Sequence, residues 1–379
     1  MTAPQYIYDG RIIGKKIAEL KCALPEFGIL YSIKANPYLP LLSYIASQQV
    51  GADAAAKNEV LLAAGAGVPA ENIYYSGPGK TAADLEETFD KCVIIADSFH
   101  ELELLNRIAR ERRRKKSVGI RINPSFWGTP GKFGIDEELC TVAALSCYPH
   151  LVIAGIHVHV KSQELDWQKI YRYYENVFSL AEKIQNELGE KLSFINFGSG
   201  IGVPYTADDK PVDLAKLSTA CGLLVKKYQS KIPAKLLIES GRFIVCEAGT
   251  YTTEVLDIKK SRGRTYLVVA GGLNGFARPA VAALLEKDHQ ATEPLFTKHH
   301  AWTISLDKKS DEMEMVDIVG NLCTASDILA KDLLLPKAEI GDRITITNAG
   351  SYACTLSFQQ FGGQDAPVET LVFTDEDSH

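Results

Sequence analysis

The sequence predicts a (β/α)8 barrel joined to a second, mainly β domain, and three observations carry the prediction. Eight short apolar runs alternate with segments of helical periodicity. Nearly every unusual polar residue stands where one of those runs ends. Beyond Arg242 the texture turns to short alternating strands. The eight runs are Gly28–Lys34, Val50–Ala54, Asn72–Ser76, Cys92–Ala96, Val118–Asn123, Val152–Val160, Leu192–Phe197 and Lys235–Glu239. The intervening segments show a helical stripe, as in Ile170, Tyr174, Val177, Ala181, Ile184 and Leu188. Before the barrel, a run at Gln5–Tyr8 precedes a stripe of Ile13, Ile17, Leu20 and Leu24. After it, Thr250–Lys259, Arg264–Ala270, Trp302–Ser305, Met315–Val319 and Arg343–Thr347 read as strands. The expected division is a barrel over 28–250 and a β-rich domain built from 1–27 plus 251–379, joined by the N-terminal strand.

At 379 residues the chain holds one barrel of about 250 residues and a smaller domain. An apolar fraction of 46% and a charged fraction of 23% are those of a soluble globular protein. A net charge of −6 gives no reason to expect nucleic acid or an acidic membrane surface as partner. The one basic run, Arg110–Lys116, follows a helical pattern and complements a helix C-terminus. The eight cysteines include no C-x-x-C pair, and several lie inside apolar strands, as reduced buried thiols do. No basic region followed by an apolar one opens the chain, and no apolar stretch approaches the ~20 residues of a membrane helix, so the cytoplasm is the expected location. The tail Thr374–His379 reads as disordered, and His299-His300 as a surface pair.

Barrels of this kind carry their active sites at the C-terminal ends of the strands, with phosphate gathered by the seventh and eighth loops. Here those loops hold Gly198-Ser199-Gly200-Ile201-Gly202 and Glu239-Ser240-Gly241-Arg242. The glycines let backbone approach phosphate oxygens, and Arg242 can clamp a phosphate; a plain turn and a structural ion pair are the competing explanations. Glu239 could protonate and hold a pyridine nitrogen. Lys34 ends the first strand, where desolvation would lower its pKa and leave a nucleophilic amine suited to a Schiff base, although an ordinary strand-end lysine is the alternative. Together these residues fit pyridoxal phosphate. His157 and His159, two apart on one strand, could ligate a metal, but no convincing further ligands are found, so no metal is expected; His159 stacking on a cofactor ring is the favoured reading. In the second domain, the Gly320–Asp327 loop places Cys323 beside Asp327, and Asn348–Tyr352 places a phenol that could reach a phosphate; a buried inert thiol and a core tyrosine are the alternatives.

These motifs, in order, resemble one family. Y-x-x-K-A-N at Tyr31–Asn36, A-D-A-A-A-K-N-E at Ala52–Glu59, H-V-H-x-x-S-Q at His157–Gln163, G-S-G-I-G at Gly198–Gly202, E-S-G-R at Glu239–Arg242, the Cys323 loop and A-G-S-Y at Ala349–Tyr352 resemble the fold-type III pyridoxal-phosphate decarboxylases, the ornithine and diaminopimelate decarboxylase group. The resemblance spans from about Tyr6 to Phe373. Within the group, E-S-G-R-F-I-V at Glu239–Val245, E-V-L-D-I-K-K at Glu254–Lys260 and C-T-x-x-D at Cys323–Asp327 look closest to the siderophore-pathway decarboxylases that act on citryl-diaminopropionate in staphyloferrin B synthesis.

The resemblance implies that Lys34 carries the cofactor as a Schiff base, His159 stacks on its ring and Glu239 holds its nitrogen. It implies that Arg242, Gly241, Ser162, the Gly198–Gly200 turn with Ser199, and Tyr352 gather the phosphate, with Asp53, Glu59 and Arg121 in support. It further implies a head-to-tail homodimer with shared active sites, in which Cys323 comes from the second subunit as the proton donor and Asp327 of the same loop helps bind substrate. Departures are visible. Lys161 stands where the family usually has glycine, Ser199 replaces the middle glycine, and Asn196 replaces a common aspartate; the phosphate cup is expected to survive them. Thr324 follows Cys323 where diaminopimelate decarboxylases have a glutamate for the distal amine, whereas Arg278-Pro279-Ala280 resembles their carboxylate-binding arginine segment. A carboxylate-bearing substrate without a distal cation, such as a citryl or acyl-linked amino acid, reconciles the two; diaminopimelate is the alternative. An amino-acid racemase lacks the Cys323 type of loop. A non-catalytic relative would tend to lose the cofactor residues. A metal-dependent hydrolase leaves Lys34 and the phosphate loops unexplained.

Overall fold

The computed structural model describes residues 3–205, 208–285, 303–308 and 310–373. His299-His300, Trp302 of the expected Trp302–Ser305 strand and the tail Thr374–His379 lie outside the described residues. Two compact units emerge, one of Gly14–Val203 and Pro211–Gly241, the other of Met1–Ile13, Pro204–Lys210 and Arg242–His379.

In chain order the strands are β1 (Gln5–Asp9), β2 (Phe27–Ser32), β3 (Gly51–Ala54), β4 (Ile73–Tyr75), β5 (Val93–Ala96), β6 (Lys116–Asn123), β7 (Ile135–Asp136), β8 (Leu151–His157), β9 (Phe194–Asn196) and β10 (Lys235–Ser240). They continue with β11 (Gly249–Ser261), β12 (Arg264–Val269), β13 (Ile304–Leu306), β14 (Met313–Val319), β15 (Ile328–Pro336), β16 (Arg343–Ile346) and β17 (Val368–Val372).

The first unit is the expected barrel. Strands β2, β3, β4, β5, β6, β8, β9 and β10 run parallel in that order, and β10 closes on β2 with Ser240 opposite Tyr31. Buried on both faces, the strands are apolar runs rather than alternating ones, as in Val93-Ile94-Ile95-Ala96. Inside the barrel, Leu30, Tyr74, Ile95, Phe194 and Leu237 form one buried cluster. The Phe194 ring fills space that Gly119 and Gly155 leave, since a Cβ on either would come within 2.8 and 2.6 Å of it.

That apolar layer positions the site. Side chains two residues apart on a strand share a face, and one step of two beyond the layer lie Ser32, Asp53, Ser76, Asp97, Arg121, His157, Asn196 and Glu239. One comes from each of the eight strands or the residue that follows it, and all are buried. An apolar plug thus carries a polar ring at the C-terminal mouth.

The second unit is a mainly β sheet of order β13-β16-β11-β12-β14-β15, with β1 beside β11 and β17 beside β1. The N-terminal strand joins this sheet through Tyr6 opposite Tyr251, and their rings pack 4.9 Å apart. The unit also takes in Pro204–Lys210, which the linear reading 28–250 placed in the barrel; Tyr205 explains this, being buried among side chains of the second unit. Three strands escaped the sequence reading. In β15 the pair Lys331-Asp332 breaks the apolar pattern, because Asp332 takes φ 50° and the register against β14 shifts. β7 is two residues long, and β17 follows a turn-rich stretch.

Candidate active site

Lys34 does not end β2; it sits in the single 3-10 turn Ile33–Ala35 that follows it. Nor is its amine desolvated, since the side chain is 42% exposed and pairs with Asp53 Oδ2 at 3.0 Å. Asp53 is itself fully buried, and its other oxygen accepts from Ser76 Oγ at 2.5 Å. An anchored carboxylate, rather than burial, therefore holds the lysine at the barrel mouth.

Glu239 is the centre of a second cluster. Asn196 Nδ2 donates to its Oε1 at 2.8 Å, and His157 Nε2 lies 3.0 Å from the same oxygen, although that ring is turned away from a straight hydrogen bond. His159 lies past the end of β8, with Nδ1 3.8 Å from Glu239 Oε2 and Nε2 3.2 Å from Ser162 Oγ. So the two histidines do converge on one side, but on a carboxylate. Burial pushes the Glu239 carboxyl up, yet His157, Lys34 and His159 outweigh it and hold the group well below the usual carboxylate range. Burial lowers His159 to about 4 against the opposing pull of Glu239, with Lys34, Arg121 and His157 reinforcing the drop. The pair is therefore a buried anion beside a neutral imidazole. Among the described residues no group of three or more His, Cys, Asp or Glu side chains could hold a metal ion.

Asn196 does two things at once. Its Oδ1 accepts the Gly198 amide at 3.0 Å while its Nδ2 serves Glu239, which an aspartate could not do. Gly198 and Gly200 take φ 59° and 79°. A Cβ on Gly198 would come 2.5 Å from His159 Nδ1 and 2.8 Å from the Val158 carbonyl. The turn is a cradle only glycine fits, and Ser199, buried, turns its Oγ to the Ile201 amide at 3.2 Å. Gly241 makes a different close approach, its Cβ position lying 2.8 Å from Ala35 Cβ, so the Glu239 turn packs on the Lys34 turn. Arg121 stacks 4.4 Å from the Phe133 ring, with Nη1 3.6 Å from Asp97 and Nη2 donating to the His159 carbonyl at 3.4 Å. Glu59 bends back to accept the Ala55 amide at 2.6 Å.

The second unit gathers Arg242, Arg278, Tyr205 and Tyr352. Arg242 is buried, lies 4.9 Å from the Tyr352 ring, and donates from Nη1 to Tyr205 Oη at 2.6 Å. Tyr352 takes φ 52°, a conformation that costs a bulky residue energy. Arg278 is fully buried, donates to the Ser351 carbonyl at 3.0 Å and lies 5.3 Å from the Tyr205 ring. The sequence reading missed Tyr205; the aromatic placed shortly after the glycine turn was its one signal. In the Gly320–Asp327 loop Cys323 is exposed rather than buried, and Thr324 Oγ1 lies 2.9 Å from Ser326 Oγ. Asp327 points inward, accepting the Leu273 amide at 2.5 Å and the Leu322 amide at 2.9 Å.

The comparisons with known proteins agree with this chemistry. Residues 11–246 match the model of the pyridoxal-dependent decarboxylase family, pyridoxal binding domain. An L-glutamyl-[BtrI acyl-carrier protein] decarboxylase of Niallia circulans is 31% identical, over 97% of this chain and 88% of its own length. A diaminopimelate decarboxylase of Aquifex aeolicus is 30% identical over 97% and 86%. The structure of diaminopimelate decarboxylase from Helicobacter pylori with L-lysine superposes with a TM-score of 0.83 at 28% identity, covering 98% of this chain and 92% of that one. The enzyme from M. jannaschii with L-lysine gives 0.86 at 26%, covering 98% and 87%. The glycine cradle, the buried anion and the reachable amine fit pyridoxal phosphate. The chain belongs to the pyridoxal-dependent decarboxylase family and is a pyridoxal-phosphate-dependent carboxy-lyase of an amino-acid substrate.

Proposed function

We propose that this enzyme removes the α-carboxylate of an amino acid carried as a conjugate, a citryl-diaminopropionate-like intermediate of siderophore or related natural-product assembly. The observation that carries the reading is Thr324, a short neutral hydroxyl where a carboxylate for a distal amine would be needed to hold diaminopimelate. The Niallia circulans relative, named for a glutamyl group on a carrier protein, supports a conjugated substrate. Diaminopimelate is the second reading, favoured by the buried Arg278 and by relatives of that name.

In this reading Lys34 holds the cofactor, the Gly198–Gly200 turn, Ser162, Gly241, Arg242 and Tyr352 gather its phosphate, and Asp53, Glu59 and Arg121 brace the barrel mouth. Pyridoxal phosphate, when bound, supplies the electron sink that makes loss of carbon dioxide possible. Glu239 keeps a proton on the ring nitrogen, because its carboxylate is anchored by Asn196 and stays ionised. His159, neutral, offers a flat face for stacking without adding a competing positive charge. Cys323, exposed on its loop, returns a proton to the carbon that lost carbon dioxide. It acts in trans within a homodimer; Thr324 and Arg278 define the substrate end, and Asp327, whose oxygens accept the Leu273 and Leu322 amides, shapes the loop that carries Cys323 and Thr324. Support for the dimer comes from Met315 and Leu334, paired across β14 and β15 and 53% and 55% exposed, an apolar surface that a second subunit would cover. Eight free thiols suit the cytoplasm, and among the described residues no helix is long and apolar enough to cross a membrane.

The test is carbon dioxide release from diaminopimelate, ornithine, lysine, citryl-diaminopropionate and O-citryl-serine, with Lys34→Ala as blank. Turnover of a citryl conjugate alone bears the proposal out. Turnover of diaminopimelate replaces it with the second reading. Mixing inactive Lys34→Ala and Cys323→Ala chains restores activity only if Cys323 serves the other subunit's site.

A further inference from the structure

Gln163 ends the motif H-V-H-x-x-S-Q, yet none of the chemistry above uses it. Its backbone takes φ 61°, a left-handed conformation that a residue with a Cβ holds only under constraint. The side chain supplies that constraint. Its Nε2 donates to the Val203 carbonyl at 2.5 Å, and its Oε1 accepts the Val203 amide at 3.2 Å. One side-chain amide thus pairs with both backbone groups of a single residue, which neither a carboxylate nor an alkyl chain can do. The clamp crosses from the loop after β8 to the loop after β9. The two loops meet again one residue further on, where Glu164 donates its amide to the Gly200 carbonyl at 2.7 Å and accepts the Gly202 amide at 3.0 Å. Gly202, the last glycine of G-S-G-I-G, leaves the room for this, since a Cβ there would lie 2.9 Å from Gln163 Oε1 and 3.0 Å from its Cα. Tyr173 ties the same loops at their roots. Its hydroxyl stands 2.8 Å from the carbonyls of both Val158 and Phe197, the residues just before His159 and Gly198. Burial pushes this phenol well above its ordinary range, so the shared proton stays on it.

We propose that Gln163 is a positioning residue for the phosphate end of the cofactor site: it holds the turn that carries Ser162 against the Gly198–Gly200 turn, so that both meet one phosphate, without touching the cofactor itself. The proposal rests on the reading that Ser162 and the glycine turn gather the phosphate. Ser162 immediately precedes the left-handed residue, and its Oγ lies 3.2 Å from His159 Nε2. The direction of its hydroxyl therefore depends on the turn that Gln163 fixes. All of these residues belong to the barrel unit.

The experiment compares pyridoxal phosphate with pyridoxal, which lacks the phosphate. Full-length chain is dialysed to equilibrium against a series of concentrations of either ligand, and the bound fraction is measured. Far-UV circular dichroism first checks that each variant is folded. Gln163→Met keeps the length of the side chain and removes both hydrogen bonds. It is expected to weaken pyridoxal phosphate binding about tenfold, a change of the size that one or two neutral hydrogen bonds supply, and to leave pyridoxal binding unchanged. Ser162→Ala should show a selective loss as well, and adding Gln163→Met to it should cost little more, because the two act through one contact. Equal weakening of both ligands by Gln163→Met, no weakening, or full additivity with Ser162→Ala would leave Gln163 a packing residue and overturn the proposal. If Ser162→Ala itself fails to discriminate the two ligands, the phosphate reading of Ser162 falls first and the proposal with it. Should Gln163→Met not fold, Tyr173→Phe, which removes one hydroxyl from the same brace, carries the same comparison with the same outcomes.

Discussion

Glu239→Gln is the sharpest probe of this site. The substitution keeps the shape, and the new amide oxygen can still accept from Asn196 Nδ2, which stands 2.8 Å from Oε1. What it removes is a unit negative charge in a side chain only 4% exposed. For two unit charges about 4 Å apart at an effective dielectric near 20, the attraction is about 4 kcal/mol. If that attraction keeps the ring nitrogen protonated, its loss lowers the rate about a thousandfold. The assay is kcat for carbon dioxide release at saturating cofactor, with bound cofactor quantified and thermal unfolding followed in parallel. A fall of less than roughly tenfold at full occupancy would refute the assignment of Glu239 as the group that holds the ring proton.

Three further outcomes test the physical account. Glu101→Gln strands the Lys80 ammonium, which is fully buried against Glu101 Oε2 at 2.9 Å and the carbonyls of Gly77 and Ile95. Urea unfolding should show a loss of about 3–5 kcal/mol, largely recovered by the double substitution Lys80→Met with Glu101→Leu. Gly155→Ala drives a methyl into the Phe194 ring and should cost about 1–3 kcal/mol, with partial rescue by Phe194→Leu; an unchanged urea midpoint would contradict the packed barrel interior. His159, with its pKa lowered to about 4, binds fewer protons folded than unfolded between that value and its ordinary one near 6.5. Its contribution is therefore present above pH 6.5 and lost as the pH falls toward 4, so Tm should drop on acidification across that window, and less steeply in His159→Phe. An identical slope in the variant would show that other groups carry the effect.

Much of the site was legible because strand ends are marked chemically. Asp53, Arg121, His157 and Glu239 interrupt apolar runs, and a charge there has no place in a packed interior unless the chain ends its strand or uses the charge. The same logic misled at Lys34. An apolar strand before it implied desolvation, but the 3-10 turn carries the amine out to 42% exposure and gives it Asp53 as partner. Cys323, by contrast, was placed in a loop after a strand, and there the structure leaves it exposed, against the alternative of a buried inert thiol. Asp327, expected at the substrate, spends both oxygens on backbone amides of its own loop and Leu273, a use no local pattern announces.

The sequence by itself determined the periodicities, and with them the barrel, the mainly β second sheet and the order of motifs, because strand and helix patterns are local properties of the chain. Tertiary structure alone decided which residues meet. The polar ring above the Phe194 layer takes one member from each of eight strands spread between Ser32 and Glu239, and only barrel closure puts them in one plane. Tyr205 belongs with Arg242 and Arg278 for the same reason: hydrogen bonds and ring contacts between residues 37 or more positions apart depend on the packing of whole units.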